Sequence, residues 1–312
     1  MYKFFIALLA PLLFLCMPSL ADFPDKNVVY QITFAAGGGS DVRARHQQPH
    51  LEKELGKKIV IQYKPGAGGS IGWANLVKQK ADGYFMSGIN IPHIILQPLA
   101  RDPGYETEDI VPVVLFQQIP FGLTVLQDSP FKTLDDLINY AKKNPGALTI
   151  GGSGTWDATH IANLQFDMMA GIETTYVPHK GGKPKQTALL GGHTMASWFG
   201  PNEKMPHGDK VRTLAYATEK PIQVSPDVPT FKSFGYPLYS SVYHGVGVPK
   251  GTPEAHIKVL EEAFLKIAGL DETKKVKLKV GIMPIALDSA SSQKLIAEKK
   301  VAWEPIVKKF VK

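Results

Sequence analysis

The chain of 312 residues holds a single cysteine, Cys16, and that scarcity removes several chemistries at once. Cys16 sits in a leader that the mature protein sheds, so disulfides, a thiol nucleophile and a thiolate metal site are all excluded. After the leader there is no second long apolar stretch, no tandem repeat and no low-complexity segment, which argues against a membrane domain and against a solenoid. The 35 lysines and arginines are spread along the chain without an arginine-rich block, so nucleic acid is a poor partner for the formal charge of +7. A mild positive field of this kind instead favours encounter with small anions or an anionic membrane surface. Nucleotide signatures are missing too. Ile71 and Val42 occupy the sixth positions counted from Gly66 and Gly37, so neither run is G-x-G-x-x-G, and no G-K-[ST] occurs. Enzyme motifs fare no better: GGSGT ends in Thr155 where a nucleophile elbow needs glycine, H-E-x-x-H is absent, and no acid pair suits glycosidase chemistry. His46 and His50 lie four apart, but Pro49 intervenes and no third ligand follows, so no metal and no cofactor are expected.

What is present begins with MYKFFIALLAPLLFLCMPSLAD, one lysine ahead of a proline-broken apolar run. With small Ser19 and Ala21 at the −3 and −1 positions it reads as a signal peptide over residues 1–21, which places the mature chain in the periplasm. Leu15 stands before Cys16, where a lipoprotein cysteine needs a small residue. The remaining length and a hydrophobic content of 44% suffice for a core without crosslinks, and that length ordinarily makes two domains.

Strand-like VVYQITF, KIVIQY and YFMSG alternate with helical segments, the βαβ pattern of a parallel sheet in an α/β protein. LTVLQ, LTIGG, TTYVP, MASWF and RTLAYA form a second such set. Thr133 caps LDDLINYAKK, and Ile257, Leu260, Phe264 and Ile267 give the helix opened by Thr252 and Pro253 one apolar face. Crossings near residues 118–123 and 240–247 predict two lobes with a central cleft: 22–121 plus 243–312 as the first, 122–242 as the second. Gly122 and Gly245 are expected to ease the hinge.

Three strand ends run into glycine-rich turns: FAAGGGSD (34–41), PGAGGSIG (65–72) and GGSGTWDA (151–158). Glycine lets backbone N–H groups point inward unobstructed, and the following helix start adds partial positive charge, which together seat an anion. Each such terminus contributes roughly 0.3 to 1 kcal/mol, and about 2 when partly buried. Two facing turns with side chains reach the roughly −8 kcal/mol of micromolar binding. Asp41 and Asp157 beside these seats read chiefly as helix-start acids.

FAAGGGSD, YKPGAGGSIG, ADGY, FKTLDDLINYAKKNPGALTI, VPHKGG with LLGG, SPDVPTF and GVGVPKGTP, in this order, resemble the Bug receptors, the TctC substrate-binding proteins of tripartite tricarboxylate transporters. The resemblance spans essentially the whole mature chain. It implies a periplasmic, type II-like Venus flytrap, monomeric, that closes on a small organic acid and delivers it to membrane permease subunits.

Carried onto matching positions, it implies a ligand carboxylate held by Gly37, Gly38, Gly39, Ser40 and Asp41 on one side and by Gly154, Thr155 and His160 on the other, with Lys180 and Gly181 in a neighbouring turn. Phe34, Ala36, Asn90, Ser153, Trp156, His179, Trp198 and Phe199 complete the candidate set. Departures from the family pattern at His179, Trp156, Asp157, Met195, Phe199 and Gly200 predict an apolar, aromatic distal pocket, for an aromatic or bulky carboxylate; a di- or tricarboxylate stands beside it. The competing reading is a periplasmic serine hydrolase with Ser153 as nucleophile and His160 or His179 as base.

Overall fold

A computed structural model describes residues 23–311; the expected signal peptide lies outside the described residues. The chain begins with β1 (Val28–Ile32), α1 (Gly39–Leu55), β2 (Ile59–Tyr63), α2 (Ser70–Leu76), β3 (Phe85–Ile91), α3 (His93–Ala100) and β4 (Ile110–Pro120). It continues through β5 (Gly122–Leu126), α4 (Leu134–Lys143), β6 (Thr149–Gly152), α5 (Ala158–Ala170), β7 (Thr175–Pro178), α6 (Gly182–Leu190), β8 (Ala196–Phe199), α7 (Pro201–Lys204) and β9 (Val211–Tyr216). It returns as β10 (Ser241–Pro249), α8 (Glu254–Gly269), α9 (Asp271–Lys279), β11 (Met283–Leu287) and α10 (Ser289–Phe310). No helix among the described residues is long and apolar enough to cross a membrane.

Two sheets result, ordered β11-β4-β10-β3-β1-β2 and β7-β6-β8-β5-β9, and each centres one lobe of an α/β fold. Both are mixed rather than purely parallel. In the first, β10 runs antiparallel between β3 and β4; in the second, β5 is antiparallel to β8 and β9. The segment IVPVVLFQQIP, which becomes β4, is apolar on both faces because helices cover both, so it lacks the alternation that marks a half-exposed strand. Local signals elsewhere act as expected. Thr133 accepts from the Asp136 amide (3.2 Å) while Asp136 accepts from that of Thr133 (2.8 Å), a reciprocal cap for α4. Phe264 of α8 lies 6.2 Å from Phe116 of β4, ring over ring, in the first sheet's core.

The chain passes between the sheets twice, at Phe121 and after Ala217. There Phe121 N–H donates to Ser240 O (3.1 Å), Ser240 N–H to Ala217 O (3.0 Å) and Ala217 N–H to Phe121 O (2.8 Å), a closed ring of three peptide hydrogen bonds. The glycines expected to ease this hinge are packing glycines instead. A Cβ on Gly245 would collide with the Val114 carbonyl, and one on Gly122 would lie 2.5 Å from the Thr213 methyl. Above the first sheet, a core of Trp73, Ile94 and Ile95 also takes in Ile161 and Trp156 of the second lobe, so the lobes share apolar packing on this face.

Candidate functional site

The first glycine turn leads into α1 with Gly38 at the cap position and no side chain accepting from the first-turn amides. That leaves the N–H groups of Gly39 and Ser40 available to an outside acceptor. Asp41 does not compete for them. Its Oδ2 accepts from Gly37 N–H (2.7 Å), and its Oδ1 accepts from Tyr63 O–H (2.7 Å) and Arg45 Nε (2.8 Å). The Gly37 amide and the Tyr63 hydroxyl hold its carboxyl below the usual carboxylate range. Asp41 is thus a fastener of the turn, and the Gly37 amide, expected to face ligand, is consumed by it. Gly37 itself has φ +75°, in the region that favours glycine.

Beneath this turn Ser40 and Asn90 line a small cavity with Thr33, Arg43 and His244, three residues that motif reasoning passed over. Arg43 Nη2 donates to Ser40 Oγ (2.9 Å), while burial lowers the guanidinium pKa to about 10. Burial, reinforced by Arg43, holds His244 neutral, with its Nδ1 3.4 Å from Gln117 Nε2. Arg43 lies among Ala44, Gln47 and Leu51 on α1, and only the turn of the helix toward β3 and β10 brings it to Asn90 and His244.

The second lobe's turn is built differently. Asp157 caps α5, accepting with Oδ1 from the amides of Thr159 (3.0 Å) and His160 (2.9 Å) and with Oδ2 from Ser153 Oγ (2.7 Å). Ser153 N–H is taken by Thr159 Oγ1 (2.9 Å), and Trp156 N–H by His160 Nδ1 (3.2 Å). Tyr176 O–H binds Gly154 O (2.6 Å). The helix-start amides are therefore spent internally, and the two turns are not equivalent pincers. Trp156 carries φ +55°, unusual for a side chain of its size, and packs against the apolar cluster that contains Trp73, with its ring 4.9 Å from that of His160.

An uncapped helix start does exist in this lobe, at α6, where Gly181 is the cap residue with no side-chain acceptor. Its turn leans on the first: Gly181 N–H donates to Ser153 O (3.0 Å), and His179 N–H to Gly152 O (2.9 Å). Lys180 is exposed beside it, as are Ala36 and Thr155 in their own turns. Across the cleft, Phe34 lies 6.4 Å from Trp73, and Trp73 lies 6.3 Å from His93. Burial lowers the pKa of His93, with the Asp157 carboxylate near enough to oppose it, and does the same to His160. Nδ1 of His93 is buried without a hydrogen-bond partner among the described residues.

Several candidates lie elsewhere. Trp198 is fully buried, stacks on Phe231 at 5.7 Å and donates from Nε1 to Asn163 (3.1 Å); Phe199 packs on Leu189 and Val211. Met195 packs against the second lobe's core. Of the departures that predicted an aromatic distal pocket, Phe199 and Met195 thus pack in the interior. The glycines of PGAGGSIG also serve packing, with a Cβ on Gly69 falling 2.6 Å from Trp73 and one on Gly72 falling 2.5 Å from Thr33. Neither His160 nor His179 hydrogen-bonds Ser153, whose hydroxyl is held by Asp157, so no nucleophile and base pair is assembled. Among the described residues no group of three potential metal ligands comes together.

Residues 43–311 match the family described as tripartite tricarboxylate transporter family receptor, TctC. BugT of Bordetella pertussis is 28% identical over 298 residues, covering 93% of this chain and 91% of that protein. A solved structure of a periplasmic transporter superposes with a TM-score of 0.83 at 30% identity, covering 93% of this chain and 99% of its own. An R. palustris protein solved with adipate superposes with a TM-score of 0.82 at 27% identity over 92% of this chain and 98% of its own. Proteins of this kind are solute-binding receptors rather than enzymes, so the hydrolase reading falls. The chain belongs to the TctC family of tripartite tricarboxylate transporter receptors.

Proposed function

We propose that this receptor captures a small organic acid between its lobes in the periplasm and hands it to the permease subunits of a tripartite transporter. The observation that carries this is the uncapped start of α1 standing directly over Arg43, Asn90 and His244. The amides of Gly39 and Ser40 take one carboxylate, and the uncapped start of α6 with Lys180 approaches it from the other lobe. The ligand reaches both sides only when the lobes close, so its binding energy favours the closed form, which the membrane partner reads. The lobes pivot where Phe121, Ala217 and Ser240 meet.

Arg43 favours a dicarboxylate over an aromatic monocarboxylate, because its guanidinium, beneath the turn that takes the first acid group, adds positive charge that a second carboxylate in the cleft feels. The relative solved with adipate is in keeping with that choice. Titration calorimetry with a panel of four- to six-carbon dicarboxylates and matched monocarboxylates tests it. Arg43→Met should weaken dicarboxylates about tenfold, roughly 1.4 kcal/mol, and leave monocarboxylates nearly unchanged. Binding confined to aromatic monocarboxylates, or to amino acids, would overturn the dicarboxylate reading.

A further inference from the structure

A second cavity of about 30 Å³, also lined by Arg43, lies between α1, β4, α8 and α9, with the exposed His46 at its edge. That is room for one particle of the size of a water molecule or a halide ion. Its walls are unusually rich in positive charge and donors. Arg43 lines it, and apart from its bond to Ser40 the guanidinium has no hydrogen-bond partner among the described residues. Lys277 lines it from α9, with one of its three donors on the Phe116 carbonyl (2.8 Å) and its ammonium 5.2 Å from the Phe116 ring centroid. Burial and the neighbouring Arg43 bring the Lys277 pKa down to about 8.

The third group is Thr273, 2% exposed, whose hydroxyl has no hydrogen-bond partner among the described residues. Gln47 accepts from Tyr30 O–H through Oε1 (3.3 Å), which leaves its Nε2 as a further donor. No carboxylate lines the cavity. Glu272, next to Thr273 in the chain, turns outward toward His50 (3.7 Å) and is 66% exposed. Two half-buried cations side by side without a counter-charge are costly, and an orphaned buried hydroxyl adds to the cost.

We propose that this cavity is an interior halide site, taking chloride held by Arg43, Lys277 and Thr273 and locking α9 against α1 and β4. A monoatomic anion meets both constraints, since it supplies the missing charge and fits a space too small for sulfate or for a transported organic acid. The site shares Arg43 with the cavity beneath the first glycine turn, while Thr273 and Lys277 belong to it alone, and it does not rest on the identity of the transported solute.

Thermal melts in sodium chloride and sodium gluconate at equal ionic strength, on the wild type, Thr273→Val and Lys277→Met, provide the test. Wild type should melt about 3 °C higher in chloride at about ten times its Kd, and each variant should lose more than half of that difference. A crystal grown in bromide should show an anomalous peak inside the cavity. An equal chloride effect in all three proteins would overturn the proposal as a general salt effect. So would a bromide crystal without that peak, whatever the folding of the variants.

Discussion

The Asp41 carboxylate receives the amide hydrogen of Gly37 at 2.7 Å, closing the glycine turn onto its own helix. Because that amide and the Tyr63 hydroxyl depress the carboxyl pKa in the folded state, its contribution to stability is present above the unfolded pKa and is lost as pH falls through the folded one. Asp41→Asn should therefore lower the Tm most above about pH 5, with the gap to wild type narrowing below about pH 4. Melting curves of the two proteins from pH 3 to 7 check this. A gap independent of pH would mean that the charge is immaterial.

Asp157 combines a structural benefit with an electrostatic cost. As a buried cap with four donors it should not be removable cheaply, and Asp157→Ala should destabilise by about 2 kcal/mol in urea unfolding. Asp157→Asn keeps an acceptor for the two helix amides while deleting a buried negative charge from the second lobe's turn. It should bind the acid ligand more tightly than wild type, by about threefold to tenfold, measured by calorimetry at low salt.

The histidines at the lobe boundary give the folded protein a pH dependence of the opposite kind from that of a salt-bridged histidine. Burial lowers the pKa values of His93 and His160 below the ordinary 6.5, with Asp157 opposing in both cases. Open or unfolded states thus bind more protons as pH drops below about 6.5, and stability, level at neutral pH, declines on acidification. His160 Nδ1 also accepts from Trp156 N–H, a bond that protonation forbids. His160→Asn, which keeps an acceptor near that position, should flatten the acid limb of urea midpoints measured from pH 5 to 8.

The lobes, their strands and the capped helices were legible because each rests on local pattern. Thr133 and Asp136 sit three apart, and Leu260, Phe264 and Ile267 fall on one helix face. β4 and β10 were not, since β4 is buried from both sides and carries no alternation, and the glycines of β10 read as a hinge. Within the site, the uncapped turn at Gly38 and Ser40 could be read from glycine content alone. The consumption of the second turn by Asp157 could not, because the same S-G-T-W-D string serves an open or a self-satisfied loop until Thr159 and Tyr176 are placed around it. Trp198 and Phe199 were drawn toward the ligand by their type, whereas their strand, β8, sits between β6 and β5 with both faces covered. Arg43 and His244 come from opposite ends of the chain and meet only through the antiparallel return of β10 beside β3.

That return of β10 begins at Ser240, whose peptide group is one corner of the triangle it forms with Phe121 and Ala217. A joint in which each passing segment is stitched to the other two resists sliding and tolerates bending, so it suits the proposed closure as a fixed fulcrum. In that closure an angular change of a few degrees is magnified at the far rims, where a transporter would feel for a loaded carrier, while the three hydrogen bonds of the fulcrum stay made.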